Sequence, residues 1–232
     1  MASIVASVIA PPAGAQAVCT PSAQNPTVRF ETTLGDVDVL LCRADVSATV
    51  DSFLQYVNDG AYTDRGFLHR SVQSSIFVVQ GGGAYLDDDD VMHLVEVRDV
   101  PLPLEAVLPN VRGTIAMARG NEPDSARSQW FFNVQDNPGL DAGPNVDGYA
   151  VFGEVVAGIG VVDAMAAQTI WMLNPGFLSE VPLIDYPGSG PVVDDLIFVT
   201  DVRVVPEPGL GVQAGAALLV VAGLARRRAR RR

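Results

Sequence analysis

From Thr27 the chain alternates apolar and polar residues with a period of two. Val28, Phe30 and Thr32 stand among charged or polar neighbours, Leu34-Gly35-Asp36 makes a turn, and Val37, Val39 and Leu41 resume the alternation. A period of two puts every second side chain on one face, so the segment predicts a β-hairpin. Between Val46 and Val57 the period changes. Val50, Phe53, Leu54 and Val57 fall at i, i+3, i+4 and i+7, one apolar stripe of a helix, ended by Asn58-Asp59-Gly60. Strand-like runs recur at Phe77–Gln80, Gly113–Ala118, Gln129–Val134 and Ala150–Val155, with a second short helix around Val161–Ala167. Residues 172–195 hold Pro175, Pro182, Pro187 and Pro191 and read as a long loop, and Leu196–Val205 reads as a closing strand. Many short strands with two helices predict a mainly β fold, a closed barrel plugged at its ends.

Charge narrows the choice of partners. Six of the fifteen basic residues are Arg226, Arg227, Arg228, Arg230, Arg231 and Arg232, and there is no lysine. Residues 1–225 therefore carry nine Arg against 27 acidic residues, a net of −18. Such a body repels phosphate backbones, which argues against nucleic acid as a partner. Cys19, Cys42, His69 and His93 match no zinc spacing, and Asp87 to Asp90 lack the alternation of a calcium loop and read as a solvated turn, so no metal is expected. The two cysteines are either unrelated buried thiols or, in an oxidising compartment, a pair tying the N-terminal segment to an early strand.

Both ends read as addresses. Residues 2–10 are apolar, Pro11-Pro12 follows, and Ala15-Gln16-Ala17 has the form of a signal-peptidase site. Residues 1–17 are therefore expected to be a signal peptide whose positive n-region is missing, as it would be if the true start lay upstream, and 18–26 a linker to a folded domain over 27–205. At the other end Val205-Pro206-Glu207-Pro208 precedes the apolar stretch Gly209 to Ala225 and then the arginines. As a helix that stretch is about 25 Å long, slightly short of a ~30 Å hydrocarbon core, and the arginines belong on the cytoplasmic side. Residues 206–232 resemble the PEP-CTERM sorting signal, which implies exosortase processing after anchoring in the inner membrane, and delivery to the periplasm, cell surface or extracellular matrix. A simple tail anchor is the other reading of 209–225.

Three segments are unlike ordinary barrel sequence: Phe67-Leu68-His69-Arg70 with Phe77-Val78-Val79-Gln80-Gly81-Gly82-Gly83; Gly113 to Arg119; and Ser128 to Val134, continuing to Leu140-Asp141 and Gly148 to Gly153. Singly each has a plain explanation. The triple glycine lacks the Lys-Ser/Thr and the helix that a phosphate loop needs. Together and in this order, over roughly residues 27–205, they resemble the cyclophilins. The resemblance implies a closed eight-stranded antiparallel β-barrel capped by two α-helices, peptidyl-prolyl cis–trans isomerase activity, no cofactor, and proline-containing polypeptides as substrates. It implies Arg70 as the catalytic residue, Phe77, Val78, Phe131 and Leu140 as walls of a proline pocket, Gln80 and Gln129 as holders of the substrate backbone, Ala118 in the groove and Tyr149 at the rim. Tyr149 points to the exported bacterial members. His69 is not expected to act as a base. A catalytically weak, cyclophilin-like binding module displayed at the surface is the alternative.

The chain departs from that pattern at four places. Two extra residues lie between Arg70 and Phe77, around Gln73-Ser74-Ser75, where they either bulge out or displace the pocket wall. Val78 replaces a methionine, Gly139 stands where an aromatic is common, and Trp130 replaces a phenylalanine and is expected to face the core.

Overall fold

The computed structural model describes residues 17–206 other than Asp64, Asp99 and Pro191. The signal-peptide run over 1–16 and the sorting signal, apolar stretch and arginines over 207–232 lie outside the described residues. Among the described residues no helix is long and apolar enough to cross a membrane.

The alternating segment forms the predicted hairpin, β1 (Thr27–Thr32) and β2 (Gly35–Leu41), in continuous antiparallel register from Thr27↔Leu40 to Thr32↔Gly35. Its inward residues Val28, Phe30, Val37, Val39 and Leu41 are fully buried. Helix α1 (Ser47–Asn58) buries Val50, Phe53, Tyr56 and Val57 against them, while Leu54 packs at the margin. No side chain at its own N-cap satisfies the first turn. A distant carboxylate does so instead: Thr49 donates to Glu105 Oε2 from both its backbone N–H and its hydroxyl, each at 2.8 Å.

The remaining strands are β3 (Gly66–Phe67), β4 (Arg70–Gln73), β5 (Phe77–Gly81), β6 (Ala84–Leu86), β7 (Met92–Leu94), β8 (Thr114–Met117), β9 (Trp130–Asn133), β10 (Val151–Ala157), β11 (Thr169–Trp171), β12 (Val181–Leu183) and β13 (Phe198–Val205), with helix α2 (Ile159–Ala166) after β10. Eleven of the thirteen strands form one sheet in the order β4-β5-β9-β8-β10-β2-β1-β13-β3-β6-β7. Phe30, Phe53, Val79, Ile115, Met117, Trp130, Phe132, Phe152 and Val202 join one buried cluster, so the sheet curls around a single core with α1 and α2 against it. Edge-to-face contacts of Phe30 with Trp130 and Phe132, at 5.0 and 5.4 Å, fill its centre. Trp130 faces this core, as expected.

Two expectations need correction. The hydrogen-bond ladder has eleven strands rather than eight, and β4 and β7 stand at its opposite ends, so the ladder itself is not a closed eight-stranded barrel. The count rises because short pieces pair outside the runs that read as strands: β3 and β4 are separated at Leu68-His69, and β6–β7 adds a small hairpin at the far edge. Residues 172–195 are not a structureless loop. Val181–Leu183 pairs with Thr169–Trp171, which lies just before that segment, and Val193–Asp195 forms a 3-10 turn. Pro182 is tolerated because a two-stranded ribbon has free edges. Val181 and Leu183 are fully buried against Phe67, Ala84, Leu86 and Leu196, a second core beneath the segment.

Candidate active site

A period-two strand in a curled sheet has two faces, and this sheet buries both. On β5 Val79 points to the central core and Val78 to the other side; on β9 Trp130 and Phe132 point in and Phe131 out; on β8 Ile115 and Met117 point in and Ala116 out. The outward residues Val72, Val78, Ala116, Phe131, Leu140 and Val151 form a third apolar cluster, with Ala118 and Tyr149 packed at its margin.

Register assembles the polar part of the site. Arg70 lies opposite Gln80, Gln80 opposite Phe131, Phe131 opposite Ala116 and Ala116 opposite Val151. Directly opposed residues in antiparallel strands share a face. A single row across five strands therefore runs from a guanidinium through an amide to an aromatic and aliphatic floor. The two extra residues after Arg70 sit in the β4–β5 turn beyond the last pair, Gln73↔Phe77, so they leave this register intact.

Side-chain bonds connect the polar end. Arg70 Nη1 donates to Gln80 Oε1 at 3.4 Å, and Gln80 Nε2 donates to Gln129 Oε1 at 2.8 Å. Gln80 is 9% exposed, whereas the Arg70 side chain is 40% exposed, so the fixed amide holds the accessible cation. His69 beside it is buried, and burial pushes its pKa down to about 4; the Arg70 charge acts the same way and a hydrogen bond with Gln129 opposes both. The ring is neutral at physiological pH, and its Nδ1 has no partner among the described residues. Its neighbour is Phe177, stacked on it at 4.3 Å between ring centroids.

The walls are held from behind by buried amides that sequence reasoning did not single out. Asn137 accepts from the Phe77 N–H at 2.8 Å and donates back to the Phe77 carbonyl at 3.0 Å. Asn110 donates to the carbonyls of Leu140 and Tyr149 at 3.1 and 3.3 Å, and Asn133 links Asn110 to Asn137. Two wall residues, Phe77 and Leu140, and the rim residue Tyr149 thus share one hydrogen-bonded network, which fixes their spacing. Tyr149 meets the Phe131 ring edge-on at 5.7 Å, and the Arg119 guanidinium lies 5.0 Å over its face. At Gly139 a Cβ would meet nothing within 4 Å, so the rim is open there.

The triple glycine is explained by close packing. A Cβ on Gly81 would lie 2.8 Å from Trp130 Cη2, and one on Gly82, whose φ is +75°, would lie 2.6 Å from the Ser128 carbonyl oxygen. Asp87 to Asp90 form the solvated turn between β6 and β7, in which Asp87 Oδ1 accepts from the backbone of Asp89 and Val91. A separate cleft of about 1090 Å³, between the end of α1 and the β6–β7 hairpin, shares no residue with the row.

A sequence model of the family described as "Cyclophilin type peptidyl-prolyl cis-trans isomerase/CLD" matches residues 27–180, which includes all of the row and its walls. The chain belongs to the cyclophilin family. This cyclophilin is a peptidyl-prolyl cis–trans isomerase by that membership and by its relatives. It is 41% identical over 157 residues to peptidyl-prolyl cis-trans isomerase A of Dickeya dadantii, covering 67% of this chain and 77% of that one. It is 39% identical over 141 residues to peptidyl-prolyl cis-trans isomerase B of Escherichia coli, covering 59% and 81%. The fold is similar to that of a cyclophilin-type isomerase from Cryptosporidium parvum, with a TM-score of 0.54 and 18% identity over 79% of this chain and 99% of that one.

Proposed function

We propose that this cyclophilin rotates Xaa–Pro bonds in exported polypeptides by hydrogen bonding from Arg70 to the prolyl nitrogen. The observation that carries the reading is the row itself, a partly exposed guanidinium tethered by Gln80 next to the Phe131 face. A prolyl amide resists rotation by ~18–20 kcal/mol because its C–N bond is partly double. As the bond twists, that resonance is lost and the nitrogen becomes a basic acceptor. A donor placed there interacts with the twisted state and with neither planar one, so it lowers the barrier without tightening ground-state binding. One charged hydrogen bond contributes about 1.5–3 kcal/mol, or roughly 10- to 150-fold in rate. No covalent bond breaks, so the step needs no nucleophile or acid–base pair, in keeping with a neutral His69.

Phe77, Val78, Phe131 and Leu140 are assigned to the proline pocket, Gln80 and Gln129 to the substrate backbone, Ala118 to the groove and Tyr149 to the rim. The Cryptosporidium protein has also been crystallised in the presence of the dipeptide Ala-Pro, which supports a short Xaa-Pro unit as the minimal ligand. We assign closure of the barrel to residues 66–73, because the N–H of Leu68 donates to Ile197 and that of His69 to Gln80, one toward each end of the ladder.

Export is supported by the disulfide between Cys19 and Cys42, a bond of oxidising compartments. It is supported further by the Val18 backbone nitrogen, 2.6 Å from Glu154 Oε2, where a carboxylate would meet the ammonium released by cleavage after Ala17. The domain boundaries at 27 and 205, and membrane anchoring and exosortase processing of residues 206–232, belong to the same proposal.

Exchange spectroscopy on an Ala-Pro peptide tests the catalytic part. Wild type should accelerate exchange and Arg70→Ala should lose most of that acceleration. Wild type no faster than buffer would favour the binding-module reading. N-terminal sequencing of exported material tests the leader, with Val18 as the expected first residue.

A further inference from the structure

We infer that Glu180 is a positioning residue for the isomerisation, holding Arg70 Nε so that the free Nη2 amino group of the guanidinium faces the prolyl nitrogen. The inference rests on the assignment of Arg70 proposed above. Glu180 is 110 positions from Arg70 in sequence, yet its Oε2 accepts from Arg70 Nε at 2.9 Å. The backbone joins them too: the Ser71 N–H donates to the Glu180 carbonyl at 2.7 Å, and Arg70 and Glu180 form an isolated parallel bridge.

The backbone that carries Glu180 is fixed from both sides. Val181, the next residue, is fully buried in the second core, and Pro182 and Leu183 continue into the β11–β12 ribbon. Three residues before Glu180, Phe177 stacks on His69, the residue preceding Arg70, with ring planes 10° apart. The segment over 177–181 is thus a strap pinned on either side of Arg70, by Phe177 on His69 and by the Glu180 carbonyl on Ser71, and its one acid belongs to the residue that makes the second pin.

The geometry suits orientation better than stability. The two side chains are 40% and 38% exposed, and an ion pair of that exposure adds little to folding. Arginine, however, has many rotamers, and a guanidinium donates along definite directions. Glu180 occupies Nε and Gln80 occupies one hydrogen of Nη1; among the described residues Nη2 has no acceptor. The two constraints lie on different nitrogens, so together they fix the rotation of the plane, which neither does alone. The Nη2 amino group, which stands beside Nε, is then the donor left for substrate.

Exchange spectroscopy on the Ala-Pro peptide, combined with a peptide affinity titration, tests the role in the full chain. Glu180→Ala, and Glu180→Met as a variant of similar volume, should each lower kcat roughly ten-fold, the size expected when a side chain of arginine's rotamer freedom is released. Peptide affinity should be nearly unchanged. Glu180→Gln, which keeps an acceptor but not the charge, should recover part of the loss. In an Arg70→Ala background Glu180→Ala should have no further effect, because it acts through the missing guanidinium. Wild-type or higher kcat in folded Glu180→Ala or Glu180→Met overturns the inference, as does an equal loss in the Arg70→Ala background. If Arg70→Ala alone leaves the rate unchanged, the assignment of Arg70 fails and this inference fails with it. If Arg70→Ala is slow and Glu180→Ala is not, only the role of Glu180 fails.

Discussion

Replacing His69 by phenylalanine should remove a specific acid sensitivity of the fold. His69 is 1% exposed and stacked on Phe177, and burial lowers its pKa from 6.5 to about 4. Between those values the unfolded chain takes up a proton that the folded chain refuses. The stabilisation is therefore fully present above the unfolded pKa and is lost as pH falls toward the folded one. From the two values, the free energy of unfolding falls by about 2 kcal/mol by pH 5 and about 3 kcal/mol by pH 4. That is a large part of a typical 5–15 kcal/mol total, and amounts to about 1 M in urea midpoint. Asp38, Asp87 and Asp163 are held below the usual carboxylate range by hydrogen bonds from Arg29, His93 and Arg112, so their contributions disappear at lower pH, below this window. His69→Phe keeps a ring against Phe177 and cannot titrate. Urea unfolding at half-unit steps from pH 7 to 4 should show a declining wild type and a flatter variant. Parallel curves would refute the assignment of the slope to this ring.

Two further substitutions probe the scaffold. Gly82→Ala puts a Cβ against the Ser128 carbonyl at a positive φ, and should cost at least about 2 kcal/mol in chemical unfolding; a variant as stable as wild type would show that this approach is not tight. Reducing the Cys19–Cys42 bond, which spans 23 positions, should lower the unfolding free energy by about 3 kcal/mol. Identical unfolding curves with and without reductant would show that the bridge contributes nothing.

Sequence reasoning succeeded where a pattern persists over several residues. The β1–β2 alternation and the α1 stripe are long enough to have a period, and both formed where expected. β3, β6 and β7 are only two or three residues long, too short to have a period, and are defined by their partners. Pro182 suggested a loop because local chemistry cannot show that a strand will be the edge of a ribbon. The row from Arg70 to Phe131 was legible through its motifs. What positions it was not: Glu180 becomes relevant only when the fold brings it to Arg70, and nothing local separates the buried Asn110 and Asn137 from asparagines of ordinary turns.

In the proposed mechanism Arg70 acts on the twisted amide and not on the bound ground state. Measuring kcat and the dissociation constant for the same Ala-Pro peptide in wild type and Arg70→Ala separates the two. The prediction is a fall in kcat of roughly 10- to 150-fold with affinity within about two-fold of wild type. A variant whose affinity weakens as much as its catalytic efficiency, with kcat preserved, would show that the guanidinium merely holds substrate and would contradict the mechanism.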